Sequence, residues 1–349
     1  MKARDEIAAR RSELERRAEE MGLDAVVIAA PANVKAFCGV DCDSAVLELR
    51  ERRGGGWDAA LYTDFRYAPM VHRLFPRLET KDIARFRPRG SCIGYEGSVA
   101  HSRFLKWEQR SPDGEFIDIS EAIAETRAVK TSEEITRIRA AEKLACEIWR
   151  DASARFRAGM TEREMARTIQ RMMVERGDGE AFETIVCIGA NAAECHHVPD
   201  DTVWNGREGV LVDMGVRLGG VASDLTRNLF PRPSRLYRQV YDLVREANLA
   251  AIAAAKPGVA GRELDRVARK VLERGGFGRA FGHSLGHGVG YEIHEAPYAS
   301  KKSKSVLKPG MTVTIEPGVY LEGNLGVRIE DLVLITETGC EVLSSYADK

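Results

Sequence analysis

Val212-Asp213-Met214-Gly215-Val216-Arg217-Leu218-Gly219-Gly220-Val221-Ala222-Ser223-Asp224-Leu225-Thr226-Arg227 reads as two strand-like runs joined at paired glycines, each carrying one carboxylate. The first run begins at Gly209 and the second continues to Leu229, so Asp213 ends an apolar segment that belongs in a core. Met311 to Tyr320 and Gly326 to Thr336 repeat the plan: they are joined through Gly323 to Gly326 and carry Glu316 and Glu330. Side chains alternate along a strand, which puts Asp224 with Thr226 on one face, and Arg328 with Glu330 on another. Helical sequence from Leu236 to Ala255 and from Arg262 to Arg274 separates the two strand pairs. Antiparallel hairpins flanked by helices predict an α+β fold, and the weak repeat predicts two similar halves packed around a shared site.

The four carboxylates carry the chemistry. An ionised acid among buried apolar residues is costly unless it is paired or metal-bound. Taken singly, each of the four also fits a surface residue or an ordinary salt bridge. Taken together they need a common partner, because only a few bases such as Arg227 and Arg328 stand beside them. Two divalent cations would set about four positive charges against the acids, with His287 as a neutral nitrogen ligand.

His287 lies in Gly282-His283-Ser284-Leu285-Gly286-His287-Gly288-Val289-Gly290, followed by His294-Glu295, so three of the seven histidines fall together. Flanking glycines let backbone approach a ligand, and imidazole is both a metal ligand and a proton carrier near neutral pH. His196 and His197 form a second group, in a stretch that reads as a loop, where sites concentrate.

The first part of the chain has another texture. Ala25 to Ala29, Ala59 to Tyr62 and Ser91 to Tyr95 are short apolar strands between helical stretches, an α/β layer pattern. Thr131 followed by Glu133-Glu134 signals a helix start, continued by Ile135, Ile138, Ala141 and Leu144. The domain boundary is placed there, giving domains 1–127 and 128–349.

Composition sets limits. The chain has 349 residues, 44% hydrophobic and 30% charged, with net charge −1, so nothing global favours nucleic acid or an anionic membrane. Short basic runs at Arg85 to Arg89 and Lys301 to Lys304 read as solvated surface. No apolar stretch approaches the ~20 residues of a membrane span. The charged amphipathic N-terminal stretch, residues 1–22, lacks a signal-peptide core, so a cytoplasmic location is expected. The seven scattered cysteines, with no CxxC pair, read as reduced thiols; Cys38 and Cys42 are the one close pair.

These residues resemble a known family, the pita-bread metallopeptidases, which include methionine aminopeptidase, aminopeptidase P and prolidase. The resemblance is carried by VDMGVRLGGVASDLTR, HSLGHGVGYEIHEAP, TIEPGVY and GVRIED, in order, and covers Thr131 onward. LDAVVIAAPANVKAFCGV, YTDFRYAPM and IGYEG are similar to the smaller domain preceding the catalytic one in prolidase, aminopeptidase P and creatinase. Creatinase shares the fold without metals, whereas all five ligand positions are present in this chain.

The resemblance implies a site for two divalent metal ions, commonly manganese, cobalt or zinc. It implies that Asp213 binds one ion, Asp224 and Glu330 bridge both, and His287 and Glu316 complete the second. It implies hydrolysis of the peptide bond before proline. Glu316 would pass a proton to the leaving nitrogen, His196 and His294 would hydrogen-bond the carbonyl oxygen, and His283 and Arg328 would contact substrate or orient the site. A homodimer acting on proline-containing peptides is expected.

Two departures bear on this. Glu194-Cys195 stand where many relatives have Leu-Pro, which keeps both His196 and His197 open as the functional loop histidine, with the spacing to Asp213 favouring His196. Tyr298 stands where prolidases often have an arginine that holds the dipeptide carboxylate, leaving Lys301 or Lys302 as replacements, or a preference for longer peptides. The readings are an Xaa-Pro dipeptidase, an Xaa-Pro aminopeptidase, or a metal-dependent enzyme of other chemistry on the same scaffold. A noncatalytic peptide-binding module would be expected to have lost a ligand position.

Overall fold

The computed structural model describes residues 2–349. Met1, the first residue of the amphipathic stretch, lies outside the described residues. The chain divides into two compact units, Met1–Arg127 and Ala128–Lys349.

The first unit is α/β. Its elements run α1 (Lys2–Glu20), β1 (Ala25–Ile28), α2 (Pro31–Cys38), β2 (Ala45–Glu51), β3 (Trp57–Thr63), α3 (Ala68–Leu74), β4 (Glu79–Asp82), β5 (Cys92–Tyr95), α4 (His101–Arg110), β6 (Glu115–Asp118) and α5 (Ser120–Ala128). The strands form one mixed sheet in the order β4-β3-β2-β1-β5-β6. The central β1 is buried along its whole length, as its unbroken Ala-Val-Val-Ile run requires. At the sheet edges, β4 and β6 are only four residues long, begin and end on exposed charged side chains, and so offer little open edge for further pairing.

The second unit opens with α6 (Ser132–Ser153) and α7 (Glu162–Arg176). Both start on a threonine capping box: Thr131 Oγ1 accepts from Glu134 N at 3.2 Å, and Glu134 Oε2 accepts from Thr131 N at 2.8 Å. There follow β7 (Ile185–Ile188), β8 (Val210–Met214), β9 (Arg217–Leu218), β10 (Val221–Ala222) and β11 (Leu225–Leu229). The second half opens with its own helix pair, α8 (Arg235–Ala254) and α9 (Gly261–Arg274). Its strands are β12 (Gly286–Gly288), β13 (Glu295–Ala299), β14 (Thr312–Ile315), β15 (Gly318–Leu321), β16 (Leu325–Arg328), β17 (Asp331–Ile335) and β18 (Cys340–Val342).

The two halves of this unit match. Each has two helices, a three-stranded sheet (β11-β8-β7 or β14-β17-β18) and a two-stranded hairpin (β9-β10 or β15-β16). The hairpins turn at glycines with positive φ, Gly219 and Gly220 at 61° and 76°, and Gly323 at 68°, where a β-carbon would be strained. The α+β expectation holds.

The strands differ from the sequence reading in one consistent way. Val221 to Leu229, Met311 to Tyr320 and Gly326 to Thr336 are each expected as one strand, yet each is two. The breaks fall at Ser223-Asp224, Glu316-Pro317 and Ile329-Glu330, so three of the four acids sit where the chain leaves a sheet. Arg328 ends β16 and Glu330 follows the break, so their shared direction does not come from one continuous pleat.

All seven cysteines are free thiols, Cys38 and Cys42 included. No helix among the described residues is long and apolar enough to cross a membrane.

Candidate metal centre

In the first half, β8 pairs with β11 so that Asp213 faces Thr226. In the second, β14 pairs with β17 so that Ile315 faces Asp331, which brings Glu316 and Glu330 to the same end of that ladder. The halves are joined there. Glu330 N donates to Thr226 O at 3.2 Å, and Thr226 Oγ1 donates to Glu330 Oε2 at 2.7 Å.

His287 sits on β12 between two glycines that nothing larger could replace. A β-carbon at Gly286 would lie 1.9 Å from Thr314 O, and one at Gly288 would lie 2.2 Å from Ala296 O. This close approach lets His287 N donate to Thr314 Oγ1 at 3.0 Å and aims the ring at the acids.

The five side chains create an electrostatic problem. Asp224 and Glu330 are almost fully buried, and Glu316 is largely so. Burial raises the Asp224 and Glu330 carboxyls well above the usual range, and each is pushed further by its acidic neighbours. Burial likewise raises Glu316 to about 8.

His287 goes the other way. Burial lowers it to about 4, so the ring is neutral near pH 7. Its Nδ1 lies 3.1 Å from Gly288 O, which places the proton on Nδ1 and leaves Nε2 with a lone pair. That lone pair faces Asp224 Oδ2 at 3.6 Å and Glu316 Oε1 at 3.4 Å. A divalent cation standing between them would take up the imidazole lone pair and both carboxylate oxygens together.

Asp213 shows the same need. Its Oδ2 accepts from Arg328 Nη2 at 2.6 Å, whereas the buried Oδ1 has no hydrogen-bond partner. Arg328 is itself committed: Nη1 donates to Tyr320 Oη at 2.8 Å and Nε to Thr226 Oγ1 at 3.1 Å. Ligand atoms of Asp224, His287 and Glu330 all lie within 4.8 Å of one another. An oxygen-rich set with one neutral imidazole and an unpartnered carboxylate oxygen fits divalent cations.

These residues line a cleft of about 720 Å³ within the second unit. His283, His294 and His196 line it too. His283 is lowered to about 4 by burial and then by the charge of Arg328, so it is neutral. Its Nδ1 lies 2.7 Å from Ser284 O and its Nε2 lies 2.8 Å from Tyr320 Oη. The protons therefore order as a chain: Arg328 donates to Tyr320, Tyr320 to His283, and His283 to the Ser284 carbonyl. The His294 ring packs edge-on against His287, with centroids 4.4 Å apart.

His196 and His197 both reach the cleft wall, with different surroundings. His196 is exposed, whereas His197 Nε2 lies 2.7 Å from Oε2 of the fully buried Glu162 and its Nδ1 lies 3.2 Å from Glu194 Oε2. Burial lowers the His197 pKa, but the hydrogen bonds to the two glutamates outweigh it and the net shift is upward. Glu162 also accepts from Ile188 N, Asn191 Nδ2 and Asp200 N, so its oxygens are already engaged.

Sequence reasoning assigned no role to Tyr320 or Thr226, which connect Arg328 to His283 and to Glu330. Thr226 had a signal, its shared face with Asp224. Tyr320 had only its place four residues beyond Glu316. Tyr298, in register with His287 across β12 and β13, is 48% exposed. Among the cleft-lining residues Arg328 is the single lysine or arginine.

Comparison with known proteins agrees with this geometry. The model of metallopeptidase family M24 matches residues 136–337. The chain is 35% identical over 341 residues to an Xaa-Pro dipeptidase of Pyrococcus furiosus, covering 93% of this chain and 94% of that one. The solved Xaa-Pro dipeptidase from Bacillus anthracis superposes with a TM-score of 0.91 at 28% identity, covering 98% of this chain and 99% of that chain. The X-Pro aminopeptidase from Thermotoga maritima superposes with a TM-score of 0.83 at 32% identity, covering 94% and 97% respectively. The chain belongs to metallopeptidase family M24 and has its pita-bread fold.

Proposed function

We propose that this chain hydrolyses the peptide bond preceding proline, with two divalent ions held by Asp213, Asp224, His287, Glu316 and Glu330. The observation that carries the reading is the convergence of four acids and a neutral imidazole on one space, with the Asp213 Oδ1 left unpartnered. Asp213 would serve one ion, Asp224 and Glu330 both, and His287 with Glu316 the other. Manganese suits an oxygen-rich set; cobalt and zinc suit it as well. When bound, the ions supply Lewis acidity and lower the pKa of a water to the neutral range.

The chain's own residues then have separate tasks. Glu316 borders the cleft beside the His287 imidazole, where its carboxylate would take a proton and pass it to the leaving proline nitrogen. His294 and His196 line the cleft where a scissile carbonyl oxygen would be hydrogen-bonded. Arg328, held by Asp213 and Tyr320, keeps Asp213 oriented, and Tyr320 keeps neutral His283 in one tautomer.

One observation favours peptides longer than two residues. A dipeptide's carboxylate needs a cation, yet Arg328 is engaged and Tyr298 lies outside the cleft lining. The test is the rate of metal-loaded protein on an Xaa-Pro dipeptide, an Xaa-Pro-Yaa tripeptide and an Xaa-Ala control. Cleavage of the two proline peptides but not the control supports the reading, and a faster tripeptide assigns the aminopeptidase class. Two bound ions with no Xaa-Pro cleavage would assign another chemistry to the site.

A further inference from the structure

We infer that a buried partition behind the carboxylates, built from Glu142, Ser344, Arg227 and Asp331, fixes the backbone of Asp224 and Glu330, and that Glu142 and Ser344 are positioning residues for metal affinity. The inference rests on the two-ion reading above.

Asp224 and Glu330 are the two acids proposed to bridge the ions. Both fall at strand breaks, so neither is held by a regular ladder. Their support comes from behind. Glu142, on α6, accepts from Asp224 N through Oε2 at 3.1 Å and from Ser344 Oγ through Oε1 at 2.6 Å. Ser344 Oγ in turn accepts from Leu332 N at 2.8 Å, two residues beyond Glu330. Arg227 Nη1 donates to Glu330 O at 2.5 Å and to Thr226 O at 3.0 Å. Arg227 Nη2 donates to Asp331 Oδ1 at 2.8 Å and to Ser344 O at 3.2 Å. One connected set of bonds therefore ties the Asp224 break to the Glu330 break across the two halves.

The set is costly to keep. Glu142 and Ser344 are 0% exposed, and Glu142 neighbours the buried Ala141, Ala145 and Cys146 on its helix. A carboxylate at such a position is expensive unless its partners matter. Neither Glu142 nor Ser344 lines the cleft, so neither can touch substrate or an ion. What remains is placement of the groups that do, the role of outer partners around metal ligands in general.

The test separates placement from simple stability. Metal-free protein is titrated calorimetrically with Mn²⁺ at 25 °C for the parent, Ser344→Ala, Glu142→Ala, Glu142→Gln and Met172→Ala, and each variant's Tm is recorded. Ser344→Ala and Glu142→Ala should weaken Mn²⁺ binding by about 10- to 100-fold. A Glu142→Ala, Ser344→Ala double variant titrated alongside should be little worse than either single one, because the network is shared. Glu142→Gln keeps an acceptor for Asp224 N and offers Ser344 a donor, so its loss should stay below about 10-fold. Met172→Ala, in the apolar core, should lower Tm without changing affinity. Parent-like Mn²⁺ binding in Ser344→Ala and Glu142→Ala would overturn the inference, as would an equal loss in Met172→Ala. A parent that binds no Mn²⁺ would overturn the two-ion reading itself, and the inference with it.

Discussion

Removing the ions should make the stability of the second unit fall as pH rises. The ordinary Glu carboxyl titrates at 4.5, whereas burial holds Glu316 at about 8, with Asp224 and Glu330 shifted the same way. Because the folded pKa lies above the unfolded one, the folded state binds more protons through this window. Stability is then fully present below the unfolded pKa and is lost as pH rises toward about 8. For a group this largely buried, the cost of ionising Glu316 is on the order of 5 kcal/mol. About 4 kcal/mol of this falls between pH 5 and pH 8.5, so at ~2–4 °C per kcal/mol for a unit of this size the transition should fall by roughly 8–15 °C over that range. The assay is differential scanning calorimetry of chelator-stripped protein across that range, with a metal-loaded series alongside. Bound cations reverse the repulsion, so the loaded series should be much flatter, and ion binding at pH 6.5 should release at least about one proton, read from titrations in buffers of different ionisation enthalpy. A stripped protein whose Tm does not move over this range would refute the buried-acid argument.

Three further outcomes follow from single contacts. Glu316→Gln should lower kcat by about 10²- to 10⁴-fold with the fold intact by circular dichroism, since it removes the proton carrier. Gly286→Ala should displace β12, because the new methyl would lie 1.9 Å from Thr314 O, and should cost Mn²⁺ affinity and more than about 1 kcal/mol of stability by denaturant titration. Thr131→Ala removes the capping box of α6 and should cost about 1 kcal/mol in the same titration while leaving peptide hydrolysis unchanged.

The acids were legible because each ends or interrupts an apolar run, a pattern that water-facing residues do not produce over four positions. The Thr131 cap was legible because its chemistry is local. The strand breaks were not, since alternation marks faces and carries no mark of where a chain leaves its sheet. The edge strands β4 and β6 were missed for a related reason: each is four residues long and half-exposed, too short for an alternation to stand out from loop. Glu142 was invisible because a lone glutamate on a helix normally faces solvent; only the fold shows it fully enclosed against Asp224 N and Ser344. His197 stayed open beside the favoured His196 because its partner Glu162 is 35 residues away in sequence.

The central claim is a metal-dependent cut before proline. It is tested most directly by stripping the protein with a chelator, restoring Mn²⁺ stepwise, and measuring bound metal together with release of proline from an Xaa-Pro dipeptide and of Pro-Yaa from an Xaa-Pro-Yaa tripeptide. The account predicts no cleavage when stripped, activity that rises with Mn²⁺ occupancy, and none for Asp224→Asn or Glu330→Gln. Cleavage that persists after stripping, or fully loaded protein that leaves both peptides intact, would contradict it.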